Sequence, residues 1–283
     1  MKFVPMADLL QHAVSEGYAV PAFCVWNAET METVLRSAEK LKAPVIMMNG
    51  PSEFAVLKPA DMGAIAQTVA RRFQVRAALH LDHGESLELV EACLAAGYTS
   101  VMLDYSRRPL QENTEAMRRV VAMARPLNVT VEGELGVIGK VDQTSVEGGG
   151  ASTLTDPEVA ASFVKGTAID ALAVSIGNAH GMYTTLPHLD FDRLAKIHAA
   201  VPVPLVLHGG SGTASGDLRR ATSLGIAKVN VASELVNAIR QSLLDQWGAR
   251  ENLWVPLAIA ASIKALAPVV EKWLHLTGAA GRA

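Results

Sequence analysis

Short hydrophobic runs rich in β-branched residues alternate with longer segments of helical period along most of the chain. Runs of this kind predict buried strands, whereas apolar positions three and four residues apart predict helices. Asn27 and Asp156 stand where a helix N-cap is expected, and Gly97, Gly166 and Gly225 stand where helices are expected to end. The predicted strands are residues 18–26, 44–48, 76–82, 100–104, 129–135, 171–176, 204–208 and 228–231. The predicted helices are residues 28–41, 87–96, 110–127, 157–166, 190–200 and 217–224.

Strands that alternate with helices predict a parallel sheet, and polar residues recur at the ends of many different strands. The pattern therefore favours an α/β fold in which eight strands close into a (β/α)₈ TIM barrel with extra C-terminal helices. An open doubly wound sheet is the alternative, but no GxGxxG motif follows the first predicted strand. No linker or low-complexity tract divides the chain, so we expect residues 1–283 to form a single domain.

The composition excludes several classes of partner. Half of the 283 residues are hydrophobic, 19% are charged, and the net charge is −3 without a basic stripe, so nucleic acid is not an expected partner. The most apolar stretch, residues 254–270, contains two prolines and a lysine and is shorter than the ~20 residues that span a bilayer. We expect a buried or interface helix there, and no membrane association.

Cysteine usage and the N-terminal sequence bear on the cellular compartment. Cys24 and Cys93 lie far apart and form no CxxC motif, which predicts two reduced thiols in or near the core. Residues 1–11 lack the charged and then apolar pattern of a secretory signal. We therefore expect a cytoplasmic protein.

Histidine followed by glycine occurs at the carboxyl ends of three predicted strands, at His83, His180 and His208. In a barrel these ends share one rim, so the three imidazoles are expected to converge. Three protein ligands leave one zinc position open for a substrate, which is the catalytic arrangement of this metal. A lone histidine is more often structural, and we expect such roles for the remaining histidines, namely His12, His80, His188, His198 and His275. For His80, a contact with the metal ligands is also expected.

Carboxylates and glycine-rich loops occupy the same predicted rim. Glu132 and Glu134 share one face of the fifth strand and Asp104 ends the fourth, so they are expected to serve a metal ion or to pair with Lys or Arg. Residues 209–212 and 230–233 follow the last two strands, where barrels often bind phosphate. The glycine-rich segment 136–155 is expected to form a mobile lid or a functional loop.

Five ordered motifs resemble those of class II fructose-bisphosphate and tagatose-bisphosphate aldolases, with the closest likeness to the tagatose-bisphosphate branch. They read HLDHG, EGELG, AHGMY, LVLHGGSG and KVNVASEL, and they begin at His80, Glu132, Ala179, Leu205 and Lys228. The resemblance runs almost from end to end. It implies a metal-dependent aldehyde-lyase that cleaves a phosphorylated ketose to dihydroxyacetone phosphate and an aldehyde.

The resemblance also implies roles for individual residues. His83, His180 and His208 would bind Zn²⁺, with Glu134 and Asp104 at a second or alternate metal position. Asp82 would be the acid/base at the C4 hydroxyl. Asp142, or alternatively Glu147, would move the second proton from the loop after the fifth strand. The residues expected to bind substrate are Asn27, Gly181, Gly209, Gly210, Ser211, Asn230, Val231, Ala232 and Ser233. A monovalent cation, Na⁺ or K⁺, and a homodimer or homotetramer are further implications.

Several positions depart from the family pattern on the aldehyde side. Thr184 and Thr185 stand where relatives carry a lysine, Cys24 and Trp26 replace polar residues, and residues 250–256 lack a DPRxYL-like stretch. These departures suggest an aldehyde other than glyceraldehyde 3-phosphate. Two other functions stay open: a metal-dependent hydrolase on the same barrel, and a non-catalytic accessory subunit.

Overall fold

Ten parallel strands build the sheets of a computed structural model, which describes residues 1–141, 152–183, 187–251 and 253–283. The strands are β1 (Val20–Cys24), β2 (Val45–Asn49), β3 (Ala77–Gly84), β4 (Ser100–Leu103), β5 (Thr130–Leu135), β6 (Gly139–Lys140), β7 (Ala171–Val174), β8 (Ala179–His180), β9 (Leu205–Leu207) and β10 (Ile226–Val231). Eight of them form a closed barrel in the order β1-β10-β9-β7-β5-β4-β3-β2, and β6 pairs with β8 at its rim. The prediction of a TIM barrel from eight strands is confirmed.

Helices cover the outside of the barrel and extend past its last strand. They are α1 (Met6–Glu16), α2 (Ala28–Lys40), α3 (Pro59–Ala70), α4 (Leu87–Ala95), α5 (Leu110–Ala124), α6 (Pro157–Thr167), α7 (Phe191–Ala200), α8 (Ser215–Ser223), α9 (Ser233–Gly248), α10 (Val255–Ile263) and α11 (Leu266–Leu276). Asn27 caps α2 by accepting the Thr30 amide at 2.9 Å, and Asp156 caps α6. These caps fix where the chain leaves β1 and enters α6.

The barrel strands are buried along their whole length, so the core lies both inside the barrel and between the strands and the helices. α1 packs its buried face, which includes Leu9 and Leu10, against β3 and β10. The segment 254–270 differs from the prediction of one buried or interface helix, because the chain forms two helices that separate after Ile263. Most of α10 is exposed, whereas α11 buries Trp273 against the rest of the fold. No helix in the described part of the chain is long and apolar enough to cross a bilayer.

Candidate active site

A bulge near the end of β3 brings two adjacent side chains to the same site. Strand residues normally alternate between faces, so Asp82 and His83 would point in opposite directions on a regular strand. The register with β4 shifts between Leu81 and Gly84, and His83 adopts a φ of +44°, in the left-handed region. Gly84 is required next, because a Cβ there would lie 2.5 Å from the carbonyl oxygen of Met102. This local distortion, which is costly for a residue other than glycine, presents both side chains to the rim.

The three predicted histidines converge at this rim. The ring centroids of His83 and His208 are 4.7 Å apart, those of His83 and His180 are 5.0 Å apart, and those of His180 and His208 are 5.8 Å apart. All three side chains are buried, and each offers a ring nitrogen within 4.8 Å of the others. A cluster of three imidazoles in this arrangement matches the donor set of a catalytic zinc site.

Carboxylates on the far sides of two rings determine which nitrogens face the cluster. Nδ1 of His83 lies 2.8 Å from Oδ2 of Asp104, and Nε2 of His208 lies 2.9 Å from Oε1 of Glu132. Because a carboxylate accepts, each of these ring nitrogens carries the proton, and the other nitrogen of each ring is left unprotonated. Those two acceptor nitrogens, Nε2 of His83 and Nδ1 of His208, lie 2.8 Å apart. Burial lowers the pKa of His208, which favours the neutral imidazole that a metal ion needs.

Two sets of contacts fix the position of the short strand β8, which carries His180. β8 pairs with β6, which places Lys140 beside His180 in the register. The Tyr183 hydroxyl accepts the Ala179 amide at 2.7 Å and donates toward the Gly209 carbonyl at 3.1 Å. Burial lowers the pKa of His180 well below its usual value, which favours the neutral form that a metal ion needs.

Asp82 is almost completely buried beside the histidine cluster. Its Oδ1 accepts the Asn230 side-chain amide at 3.0 Å, whereas its Oδ2 has no hydrogen-bond partner among the described residues. Burial would raise the pKa of this carboxyl, but its electrostatic interactions with neighbours that include His83, His80 and Lys228 hold the pKa well below its usual value. Asp82 is therefore an ionised carboxylate with one oxygen available to a reacting group.

Glu134 and Asp104 lie on the other side of His83 and form a second possible group of metal ligands with it. Asp104 accepts from His83 and from both the amide and the hydroxyl of Ser106, and although burial opposes it, these contacts lower the pKa of Asp104. Burial and the nearby Asp104 raise the pKa of Glu134 well above its usual value. The structure thus places Asp104 against Nδ1 of His83, and Glu134 within reach of the same pair.

The loops after β9 and β10 form a narrow cleft next to the histidines. Gly209 adopts a φ of +66°, and a Cβ there would collide with the carbonyl of Ala179. Ser211 accepts the Glu234 amide at 3.2 Å, close to the start of α9. A small cavity here is lined by Met48, His180, Gly181, Gly209, Ser211, Asn230, Ala232 and Ser233. Gly210 and Val231 support this wall, since Gly210 donates to the Asn230 carbonyl and Val231 is buried beside Phe23.

Asn27 and several loop residues were also predicted to bear on the site. The side-chain oxygen of Asn27 is engaged in the cap of α2. Asp142, Glu147, Thr184 and Thr185 lie outside the described residues. At the two ends of the glycine-rich segment, Val137 bridges to Thr153, so this segment begins and ends at the barrel rim.

Two residues of the site were not singled out from the sequence. Lys228 is completely buried in β10, and Glu53 lies in the loop after β2. A lysine within the apolar run IAKVNV, two residues before Asn230, was the available signal for the first. Glu53 accepts the Gly50 amide at 2.7 Å, and burial raises its pKa, with the Asp82 charge adding to the effect.

Comparison with known proteins adds the family. The family model of class II fructose-bisphosphate aldolase matches residues 4–282. The YdjI aldolase from Escherichia coli K12 shares 33% identity and a TM-score of 0.88, with 99% of each chain covered. A Coccidioides immitis protein assigned as a fructose-1,6-biphosphate aldolase shares 29% identity and a TM-score of 0.88, over 97% of this chain and 96% of that one. Fructose-bisphosphate aldolase from Campylobacter jejuni has the same fold, with 22% identity, a TM-score of 0.84, and coverage of 100% and 97%.

Proposed function

Because the chain belongs to the class II fructose-bisphosphate aldolase family and is thus an aldolase, we propose that it cleaves a phosphorylated ketose reversibly in a zinc-dependent reaction. The products are dihydroxyacetone phosphate and an aldehyde. The observation that carries this proposal is the convergence of His83, His180 and His208 next to the ionised carboxylate of Asp82. The substrate is a ketose 1,6-bisphosphate of the fructose or tagatose type, or another ketose phosphate with the same dihydroxyacetone phosphate half.

The three histidines hold the zinc ion. Asp104 and Glu132 orient two of the rings, and Glu134 offers a further oxygen beside His83. When bound, zinc supplies Lewis-acid polarisation of the ketose carbonyl and compensates the negative charge that develops as the carbon–carbon bond breaks. Alternate coordination by Glu134 and Asp104 belongs to this proposal.

Asp82 transfers the proton of the C4 hydroxyl. In cleavage its free Oδ2 removes this proton as the bond between C3 and C4 breaks, and in condensation the same oxygen returns it. Asn230 holds Oδ1, so the carboxylate keeps one fixed orientation toward the rim. The second proton transfer, at the carbon that bears the developing carbanion, is assigned to Asp142, with Glu147 as the alternative.

The cleft between the last two barrel loops binds the phosphate of dihydroxyacetone phosphate. Its wall includes two glycines and two serines, and the N-terminus of α9, which has 16 residues, opens there. The proposed contacts are Asn27, Gly181, Gly209, Gly210, Ser211, Asn230, Val231, Ala232 and Ser233. A Na⁺ or K⁺ ion near the phosphate completes this proposal.

Glu53 favours a second candidate function within the same family. Its carboxylate lies close enough to Asp82, the proposed acid/base at the C4 hydroxyl, for the two charges to interact. Cys24 hydrogen-bonds to Glu53, and Trp26, two residues after the end of β1, is partly exposed. A carboxylate at this position repels a second phosphate, so the candidate is an aldolase of a ketose 1-phosphate with an uncharged aldehyde half.

Assembly into a homodimer or homotetramer in the cytoplasm completes the proposal. An exposed apolar surface on α9, α10 and the segment between them supports the assembly, because patches of this kind mark protein interfaces. The residues of this apolar α9–α10 surface are Val236, Leu244, Trp247, Leu253, Trp254, Val255, Leu257 and Ile259.

The proposal is tested by release of dihydroxyacetone phosphate from a panel of ketose 1-phosphates and 1,6-bisphosphates. We expect turnover that chelation abolishes and that Zn²⁺ or Co²⁺ restores. Preference for fructose or tagatose bisphosphate would support the first substrate class, and preference for monophosphates would support the second. A zinc-loaded chain that cleaves no member of the panel would contradict the proposed activity.

A further inference from the structure

Lys228 in β10 has a fully buried side chain and pairs with Glu132, the residue that accepts from His208. Its ammonium nitrogen lies 2.8 Å and 3.1 Å from the two oxygens of Glu132, and 3.3 Å from Nε2 of His80. An ammonium has three protons, so these three acceptors satisfy it completely. His80 can accept because the Ser100 hydroxyl, which donates to Met6 Sδ, lies 2.8 Å from Nδ1 and is left to accept the ring proton there.

The ammonium also explains a second cluster of possible metal ligands. Atoms of His80, Asp82 and Glu132 lie within 4.8 Å of one another. Lys228 donates to two of these three residues, so the cation of this cluster is the lysine rather than a metal ion. The lysine and the glutamate together form a neutral pair with no exposed atoms.

A buried ion pair is a poor way to stabilise a fold, since apolar residues of the same volume usually serve as well or better. What this pair does provide is a fixed acceptor for His208. Glu132 receives Lys228 on both oxygens and accepts the Nε2 proton of His208 on Oε1 at 2.9 Å. The lysine thus holds the carboxylate, and the carboxylate holds the imidazole with its Nδ1 toward His83.

We infer that Lys228 and Glu132 are positioning residues that fix the tautomer and the orientation of His208 for metal binding. This inference rests on the proposed zinc site. Partners of metal-bound histidines commonly change metal affinity by 10- to 100-fold when they are removed.

Two charge-neutral double variants isolate the effect. K228M combined with E132Q removes the ion pair but keeps an oxygen that can accept from His208, whereas K228M combined with E132L removes that acceptor as well. We expect the leucine variant to bind Zn²⁺ about 10- to 100-fold more weakly than the glutamine variant, measured by competition with a chromophoric chelator. The Co²⁺ absorption spectrum should shift only in the leucine variant. Glu132→Met replaces Glu132→Leu if the branched side chain does not pack.

Tyr98→Phe is the matched control. It removes a buried 2.8 Å hydrogen bond to Asn49 in the same barrel but touches no residue of the cluster, so Zn²⁺ affinity should stay at the wild-type value. Equal Zn²⁺ affinity and equal Co²⁺ spectra in the two double variants would overturn the inference while leaving the aldolase proposal intact. A wild-type chain that neither binds Zn²⁺ nor cleaves any ketose phosphate would overturn both.

Discussion

Nε2 of His83 and Nδ1 of His208 lie 2.8 Å apart. Both are acceptors, because the opposite ring nitrogens carry the protons and donate hydrogen bonds to Asp104 and Glu132. Two acceptors at this distance repel each other unless a cation compensates their lone pairs. The same hydrogen bonds prepare both rings for coordination. The two nitrogens are therefore oriented for a metal ion, and binding of the ion would relieve their repulsion.

Metal removal should accordingly lower the stability of the fold. A ligand that binds only the folded chain stabilises it by about 2.7 kcal/mol at a concentration 100 times its Kd. We expect chelation to lower the melting temperature and added Zn²⁺ to restore it. In His208→Ala the melting temperature should not respond to Zn²⁺. An identical response in the wild type and this variant would show that zinc binds elsewhere.

Replacement of Asp82 should separate metal binding from proton transfer. Asp82→Asn keeps the shape of the side chain and its proximity to Asn230, but it removes the base. We expect kcat to fall by about 10²-fold or more while the Zn²⁺ content stays at one ion per chain, measured by steady-state kinetics and metal analysis. Asp61→Asn, at an exposed position of α3, is the control and should leave kcat unchanged. Normal turnover in the Asp82 variant would remove the proposed acid/base.

The barrel and the converging histidines could be predicted because they depend on local periodicity and on one topological rule. Three of the short β-branched runs ended in His-Gly pairs, and the carboxyl ends of barrel strands share a rim. The ion pair between Glu132 and Lys228 could not be predicted. The sequence shows Glu132 and Lys228 on separate strands, but only the closure of β10 between β1 and β9 brings the ammonium to the carboxylate.

The apolar segment 254–270 shows a second limit. Its composition indicated one buried or interface helix, and the separation of α10 from α11 was not predicted. Hydrophobic content alone does not distinguish a residue buried within one chain from a residue that a partner covers. The bulge at His83 was also beyond the pattern, because alternation placed Asp82 and His83 on opposite faces.

Stability should fall as the pH drops below about 6.5 in the metal-free chain. Burial lowers the pKa of His80, His180 and His208, so in this range the unfolded chain binds protons that the folded chain does not. Each such group reduces the free energy of unfolding by up to about 1.4 kcal/mol per pH unit. Urea denaturation between pH 7.5 and 5 in the presence of a chelator measures this slope.

His180→Gln provides the comparison for the pH series, since it removes one of these three groups. Its slope should be shallower than that of the wild type by about one proton. A wild-type stability that is constant over this range would mean that the buried histidines take up protons in the folded state as readily as in the unfolded one.

The apolar α9–α10 surface should mediate self-association. Trp254 is 71% exposed and Leu257 is 58% exposed, and both lie among other exposed apolar side chains on the same pair of packed helices. Covering a contiguous apolar patch removes it from water and gains about 25 cal/mol of free energy per Å². A second copy of the chain offers the same surface in a twofold arrangement.

We expect Trp254→Ser combined with Leu257→Ser to shift the wild-type oligomer toward the monomer in sedimentation velocity. Val56→Ser changes a residue that is 86% exposed but lies outside this surface, so its oligomeric state should match the wild type. A wild-type chain that sediments as a monomer at all concentrations would contradict the assembly and would leave the exposed side chains of α9 and α10 to another partner.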